Sequence, residues 1–437
     1  MAGGMAIGPG ARATLALARR WALLLMVALA TVPAQAASIL FIATGNVPTG
    51  KFRVLAQVAR THGLNLEVRY LHKLPQDVDG GLFQGQDAVF IDSYLHDEVR
   101  ARLARALPAL KVPQLWLYEA RPHWQGWPDD AARRLVSYYA NGGRANFDGF
   151  LRTVAAQLAG RPLAGIPEPV VYPKTGIYHP RAPALVFANP ADYLRWQGVD
   201  TAHRPPTIAL LLHQQYIVSE QTGFVDDLIA RIEAAGALAV PIYTSAMDAG
   251  GLTAMTRAGG ERIADAVINL QITLNAEGRR AELAELGIPV IQGTTYRRGD
   301  EAAWAADAQG LALMDVPFYL AQPEYAGITD IQVTAATRKD DDSIVPIAPQ
   351  AAAIVDKALR LARLARMPNA QKKVSVFFWN YPPGVKNLSA SFMNLPRSLA
   401  ASLAALRQAG YATESPDEPA LTARLQRLLA PFYAPAG

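Results

Sequence analysis

Cysteine is absent from all 437 residues. That excludes disulfides, a thiolate nucleophile, Fe–S clusters and Cys-ligated zinc together. An excess of one charge is missing as well. Lys and Arg number 42 against 37 Asp and Glu, a net +5. Arg12, Arg19 and Arg20 lie in the first 36 residues, which hold no acid, so the remainder has 39 basic and 37 acidic residues and only +2. A near-neutral body gives no electrostatic reason to expect nucleic acid as a partner. Membrane-length apolar runs are also lacking: Trp21–Val32, at twelve residues, falls short of the ~20 that span a bilayer as a helix. There is no G-x-S-x-G elbow, no S-x-x-K, no H-E-x-x-H and no paired-carboxylate signature.

What is present describes a folded chain: 51% hydrophobic and 18% charged residues, in a length that allows two or three domains. Arg19-Arg20, the run Trp21–Val32 and the A-x-A site Ala34-Gln35-Ala36 stand in the charged, apolar, small-residue order of a secretory signal. Cleavage ahead of Ala37 predicts export, in a bacterium to the periplasm, with no stable membrane span afterwards. A start codon placed too early would instead leave the protein cytoplasmic.

From residue 37 onward, apolar strand-like runs alternate with helical patterns, the signature of α/β units around parallel sheets. Ile39–Ala43, Leu66–Tyr70, Ala88–Asp92 and Gln114–Leu117 read as strands. Lys51–Arg60 and His96–Ala106 read as the helices between them, and Arg133–Leu158 as a closing helix. Residues 161–206, rich in Pro and Gly, read as a connector. A second domain over 207–345 repeats the design with strands Thr207–Leu212, Leu238–Ile242, Ala266–Leu270 and Pro289–Gln292. Its first helix carries an apolar face of Phe224, Val225, Leu228, Ile229 and Ile232, with Thr222 as expected N-cap and Gly236 at the C-cap. Further helices are expected near Glu261 and over Ala276–Leu286. Residues 346–437 then give the helix Ala351–Ala365, a strand Val374–Trp379 and a helix Arg397–Gly410, too little to close a sheet. The expected fold class is therefore α/β: two doubly wound, Rossmann-like parallel-sheet domains (37–160 and 207–345) plus the start of a third α/β unit, in a chain that stops inside it.

Gly45-Asn-Val-Pro-Thr-Gly50-Lys51 matches the spacing G-x-x-x-x-G-K between a strand and a helix, and Asp92 ends a later apolar strand in Walker-B fashion. Phe52 stands where a Mg²⁺-binding Ser or Thr belongs, and Pro48 removes a backbone donor, so a Gly/Pro-bearing turn is the stronger reading. Seven histidines are scattered without ligand spacing. His213 differs in context, since it follows the second domain's first strand, and open α/β sheets bind ligands at strand carboxyl ends. The same rim would collect Gln214, Tyr243, Ser245, Gln271, Thr294, Thr295, Tyr296 and Arg297, a polar, cationic cleft suited to carboxylates. Asp340-Asp341-Asp342 reads as a solvated loop.

Four ordered blocks resemble the CobN/magnesium-chelatase H-subunit family, the large tetrapyrrole-binding subunits of ATP-dependent metal chelatases. They are Gly176-Ile-Tyr-His-Pro180 with Tyr193 and Trp196; Ile208–Leu212 with Ser219 and the Phe224–Ala235 helix; Gly287–Gln292 through Pro323–Ile328; and Pro368–Lys373 with Asn380-Tyr-Pro-Pro-Gly384 and Asn387-Leu-Ser-Ala390. The resemblance covers about 165 to 411 and implies only the N-terminal portion of a longer protein. It implies a ligase-type cobaltochelatase subunit that inserts cobalt (or magnesium) into a corrin or porphyrin in cobalamin biosynthesis. ATP would act only through partner AAA+ subunits of the CobS/CobT type, and the fragment alone would be inactive. No catalytic residue carries over, because the family's catalytic body matches nothing in this chain, and metal ligands stay unassigned. The candidate substrate-binding residues are His213, Ser219, Tyr296, Arg297, Asn380 and Tyr381, with Arg298 beside the cleft. The other reading is a non-catalytic periplasmic binding protein for a metal–tetrapyrrole.

Overall fold

A computed structural model describes residues 36–433 apart from 46, 48, 119–122, 341, 380 and 391. The export signal expected at 1–36 thus lies, except for Ala36, outside the described residues. Two compact units emerge: one ends at Val171 and takes in Val218–Glu220, and the other comprises Tyr172–Ile217 and the chain from Gln221 onward.

In the first unit, β1 (Ala37–Ala43), β2 (Leu64–Tyr70), β3 (Ala88–Asp92), β4 (Gln114–Leu117) and β5 (His123–Gln125) form a sheet in the order β2-β1-β3-β4-β5. β1 to β4 run parallel, and β5 pairs antiparallel with β4 at the edge. Both faces are covered, so the central strands are apolar along Ile39–Ala43 and Ala88–Ile91. Phe41 and Phe90 pack with Tyr139 and Phe150 from the helices on one face, while Leu40, Ile42, Val89 and Ile91 pack with Val99 and Leu103 on the other. The stretch expected as one helix over Arg133–Leu158 is two, Asp129–Asn141 and Gly143–Leu158. Gly142 and Gly143 adopt φ of +57° and +77°, a left-handed conformation that ends one helix and turns the chain into the next.

The second unit holds β6 (Gly176–Tyr178), β7 (Val186–Phe187), β8 (Thr207–Leu212), β9 (Leu238–Tyr243), β12 (Ala266–Asn269), β13 (Val290–Tyr296), β14 (Thr329–Thr337) and β15 (Ile344–Pro346), in the order β15-β14-β13-β12-β8-β9-β6-β7. The strands from β14 to β9 are parallel, and β15 and β6 add antiparallel at either side. Helices Gly223–Ala234 and Ala348–Arg366 pack on one face, and Pro190–Gln197, Gly251–Met255 and Ala276–Leu286 on the other.

Three expectations change. The stretch read as a connector supplies two edge strands and a helix, because Ile177 and Tyr193 are apolar enough to bury against the second sheet. Glu261 lies in the hairpin of β10 (Arg257–Ala258) and β11 (Glu261–Arg262), not in a helix, since Gly259 and Gly260 both take the positive φ of a tight hairpin turn. Val374–Trp379 joins no sheet; no described strand lies beside it, and Phe377 is 94% and Trp379 74% exposed. Helices Leu395–Gln408 and Glu418–Tyr433 pack on each other after the small hairpin of β16 (Ser389–Ala390) and β17 (Met393–Asn394). No helix among the described residues is long and apolar enough to cross a membrane.

Candidate functional site

The second sheet grows from β8 to β9 on one side and from β8 to β12 on the other, so the chain changes direction between β8 and β12. Loops leave such neighbours in opposite senses, and a crevice opens at their carboxyl ends. His213 follows β8 directly, and its Nε2 accepts the N–H of Ile272, just past β12, at 3.1 Å. The neutral ring must then carry its proton on Nδ1. Burial pushes the His213 pKa down to about 4, so the imidazole is uncharged at neutral pH. Its ring meets Tyr216 edge-on at 5.8 Å, and Tyr216 meets Phe224 at 5.0 Å.

Amides stitch the neighbouring strand ends. Gln271 Nε2 donates to the carbonyls of Leu212 (3.1 Å) and Thr244 (2.7 Å), joining the ends of β8 and β9 to the loop after β12. Asn269 Nδ2 donates to Gln292 Oε1 at 2.7 Å, joining β12 to β13. Gln271 Oε1 and Thr294 Oγ1 are buried without a hydrogen-bond partner among the described residues. Burial pushes the phenol pKa values of Tyr216 and Tyr319 up, and the Arg297 guanidinium draws both back. Arg297 itself is exposed and makes no ion pair among the described residues. The edge therefore offers neutral donors, uncharged acceptors and one cation with no acid against it. That chemistry suits an anionic, hydrogen-bonding ligand. It offers no group poised to move a proton near neutral pH, and among the described residues no three His, Asp or Glu stand close enough to hold a metal.

The sequence-derived site residues separate. His213 and Arg297 belong to this edge, together with Gln271 and Thr294. Tyr296 is buried, packs with Ala336 and Ile347, and donates its hydroxyl to Asp307 at 2.8 Å. Arg298 pairs with the same carboxylate, which removes it from the cleft chemistry expected of it. Ser219 is buried and groups with the first unit. Tyr381 is exposed and hydrogen-bonds no rim residue among the described residues, and Asn380 lies outside them. Tyr216 and Tyr319 were not anticipated. Tyr216 stands three residues past His213 and was open to reading, whereas Tyr319 arrives through the short π-helix Pro317–Ala321, which no apolar period announces.

At the first unit's corresponding edge the lysine of the G-x-x-x-x-G-K stretch is taken up internally. Lys51 is fully buried; its Nζ lies 2.8 Å from Asp92 Oδ2 and 4.0 Å above the centre of the Tyr139 ring, whose hydroxyl donates to the same oxygen at 2.6 Å. The lysine that would meet a phosphate in a G-x-x-x-x-G-K loop thus neutralises the aspartate that would serve a metal. The P-loop reading falls with it.

The family model described as CobN/Magnesium Chelatase matches residues 136–430. The aerobic cobaltochelatase subunit CobN of Pseudomonas aeruginosa is 26% identical over 298 residues, 65% of this chain and 23% of that protein. The magnesium-chelatase subunit ChlH of Oryza sativa subsp. indica is 26% identical over 302 residues, 64% of this chain and 22% of that protein. Among solved structures, the catalytic subunit of cobaltochelatase from Mycobacterium tuberculosis superposes with a TM-score of 0.62 at 23% identity, over 91% of this chain and 33% of that one, which supports the fold. The chain spans about a quarter of the length of the curated relatives it matches. With the family model matching residues 136–430, more than half of the chain, the chain belongs to the CobN/magnesium chelatase family.

Proposed function

We propose that this chain is the leading portion of a tetrapyrrole-binding large subunit of a metal chelatase, of the cobaltochelatase type. The observation that carries the reading is the family match over residues 136–430. The carboxyl edge of the second sheet supports it, since the unpaired Arg297 beside uncharged donors suits a macrocycle bearing carboxylates. Metal insertion requires removal of two pyrrole N–H protons and desolvation of the incoming ion. In this proposal the substrate metal is cobalt and the acceptor a corrin. ATP is hydrolysed by AAA+ partner subunits of the CobS/CobT type, so the chain needs no nucleotide site of its own. By itself this portion binds the macrocycle and inserts nothing.

The test is a titration of the full chain with a free-base porphyrin carrying carboxylates, without ATP, followed by the Soret band. A saturable shift at micromolar concentrations is expected, and an unchanged spectrum overturns the reading. Adding Co²⁺ and ATP to the same complex is expected to leave the free-base bands in place; their replacement by metalloporphyrin bands overturns the statement that this portion is inactive alone.

A second reading draws on residues 1–36, which carry the three parts of an export signal in order. An exported family member would work apart from cytosolic ATPases, as a periplasmic binding protein for a metal–tetrapyrrole. Recovery of the chain, shortened by its first 36 residues, from a periplasmic extract supports export, and recovery of the full-length form from the cytosol excludes it.

A further inference from the structure

The order β2-β1-β3-β4-β5 places the first unit's change of direction between β1 and β3. Open parallel sheets of this order take ligands at the carboxyl ends of those two strands. Three strand ends meet there. Thr44 follows β1 and donates to Ser93 Oγ at 3.3 Å; Asp92, Ser93 and Tyr94 end and follow β3; and Tyr118 follows β4. Apart from the Lys51–Asp92 pair, two features of this edge are not needed to hold the sheet together.

The first is Asp92 Oδ1. Both donors that reach this carboxylate, Lys51 Nζ and the Tyr139 hydroxyl, bond Oδ2. Oδ1 has no hydrogen-bond partner among the described residues, although Asp92 is wholly buried. A carboxylate oxygen left so is costly unless something donates to it. The second is a pair of rings. Tyr94 and Tyr118, from the loops after β3 and β4, stack at 4.5 Å with 28° between their planes. Tyr94 is 58% exposed, and Tyr118 holds a φ of +66°, an uncommon conformation for a residue with a side chain. Lys51 Nζ, 2.8 Å from Asp92 Oδ2, also lies 3.5 Å from the Tyr118 hydroxyl, so the carboxylate adjoins the stack.

We propose that this edge of the first unit binds a planar heteroaromatic ring with an in-plane N–H, of the isoalloxazine or purine type, which enters between Tyr94 and Tyr118 and donates to Asp92 Oδ1. Tyr94, the exposed partner, moves outward to admit the ring, and Tyr118, held by the chain end of β4, forms the fixed wall. Lys51 Nζ and the Tyr139 hydroxyl both occupy Oδ2, which leaves Oδ1 as the acceptor for the ring N–H. The residues concerned precede the family-matched stretch, apart from Tyr139. The proposal therefore stands whether or not the chain binds a tetrapyrrole.

The experiment uses the full chain and three probes: riboflavin, riboflavin methylated at N3, and guanosine. Riboflavin is followed by quenching of its fluorescence, and guanosine by equilibrium dialysis. At least one of the two unmodified rings is expected to bind saturably, and which one binds distinguishes the isoalloxazine from the purine. If riboflavin binds, N3-methylation weakens it by about tenfold or more, because the donor to Oδ1 is lost without any change to the protein. Tyr94→Ala, at an exposed side chain the fold does not need, weakens binding about tenfold, and Tyr94→Phe restores it. Absence of saturable binding by both rings to millimolar concentration overturns the proposal. So does binding that is indifferent to Tyr94→Ala and, for riboflavin, to N3-methylation.

Discussion

A helix packed on the sheet opens differently in the two units. In the first, helix Thr49–Thr61 buries a lysine in its first turn and pairs it with Asp92 across the strand ends. In the second, helix Gly223–Ala234 presents Asp226, whose carboxylate accepts from the Tyr178 hydroxyl at 2.8 Å and from Thr222 Oγ1 at 3.0 Å. One junction is closed by full charges and the other by neutral donors. The consequence appears at the carboxyl edges. At the first edge Lys51 is committed to Asp92, and what the described residues offer there is an acceptor and aromatic rings. The second keeps Arg297 unpaired and lines itself with amides and a neutral imidazole. Two units with the same strand–helix–strand pattern thus present edges of opposite character.

The comparison breaks most visibly at Lys51. Removing one member of a buried pair leaves the other charge unsolvated, so Lys51→Met is expected to destabilise the first unit by about 3–5 kcal/mol in denaturant unfolding. The double variant Lys51→Met, Asp92→Leu is expected to recover most of that loss, because a packed apolar pair replaces the charges. If the double variant is no better than the single one, the pair is not acting as a unit.

In the second unit, the effect to measure is with pH. His213 titrates at about 4 in the fold against an ordinary value of 6.5. Its folded pKa is depressed, so the unfolded chain binds the proton first. The stabilising contribution is complete above pH 6.5 and is lost as the pH falls toward 4. The loss is on the order of 3 kcal/mol. His213→Gln, which keeps an acceptor for the Ile272 N–H, is expected to flatten this segment of the stability–pH curve. Equal slopes for both proteins would show that the imidazole is not desolvated as described.

The two adjacent arginines sharpen the contrast in binding. Arg297→Gln is expected to weaken binding of a carboxylate-bearing porphyrin by about fivefold at low salt, and less as salt screens the charge. Arg298→Gln, whose charge already serves Asp307, is expected to change affinity by less than about twofold. Equal losses in the two variants would mean that the edge attracts the ligand by net charge alone.

Much of this was legible in the residues. The runs at Ile39–Ala43, Ala88–Asp92 and Thr207–Leu212 announce buried parallel strands because burial on both faces leaves no polar alternation. His213 was legible because its place in the fold follows from the strand before it. What was not legible depends on partners distant in sequence. Arg297 and Arg298 look alike until Asp307 is seen to take the second. Lys51 looks like a phosphate ligand until Asp92, 41 residues on, is seen beside it. Val374–Trp379 has the composition of a strand, yet a strand exists only where another strand accepts its hydrogen bonds. The helix break at Gly142-Gly143 was visible as two glycines, but periodicity on either side masked it.

The smallest effect belongs to the junction with which the comparison began. Thr222 stands at the expected N-cap, but its hydroxyl bonds no backbone amide of the helix; it donates to Asp226 instead. Burial raises the Asp226 pKa, and the bonds from Tyr178 and Thr222 hold it back. Thr222→Ala removes one of two donors and leaves the carboxylate with Tyr178, so the expected cost in urea unfolding is about 1 kcal/mol or less. Because Thr222 favours the ionised form of Asp226, that cost should shrink as the pH falls and Asp226 takes up its proton. A cost that holds steady through that range would place Thr222 on the helix backbone after all, and the two junctions would then differ only in their lysine.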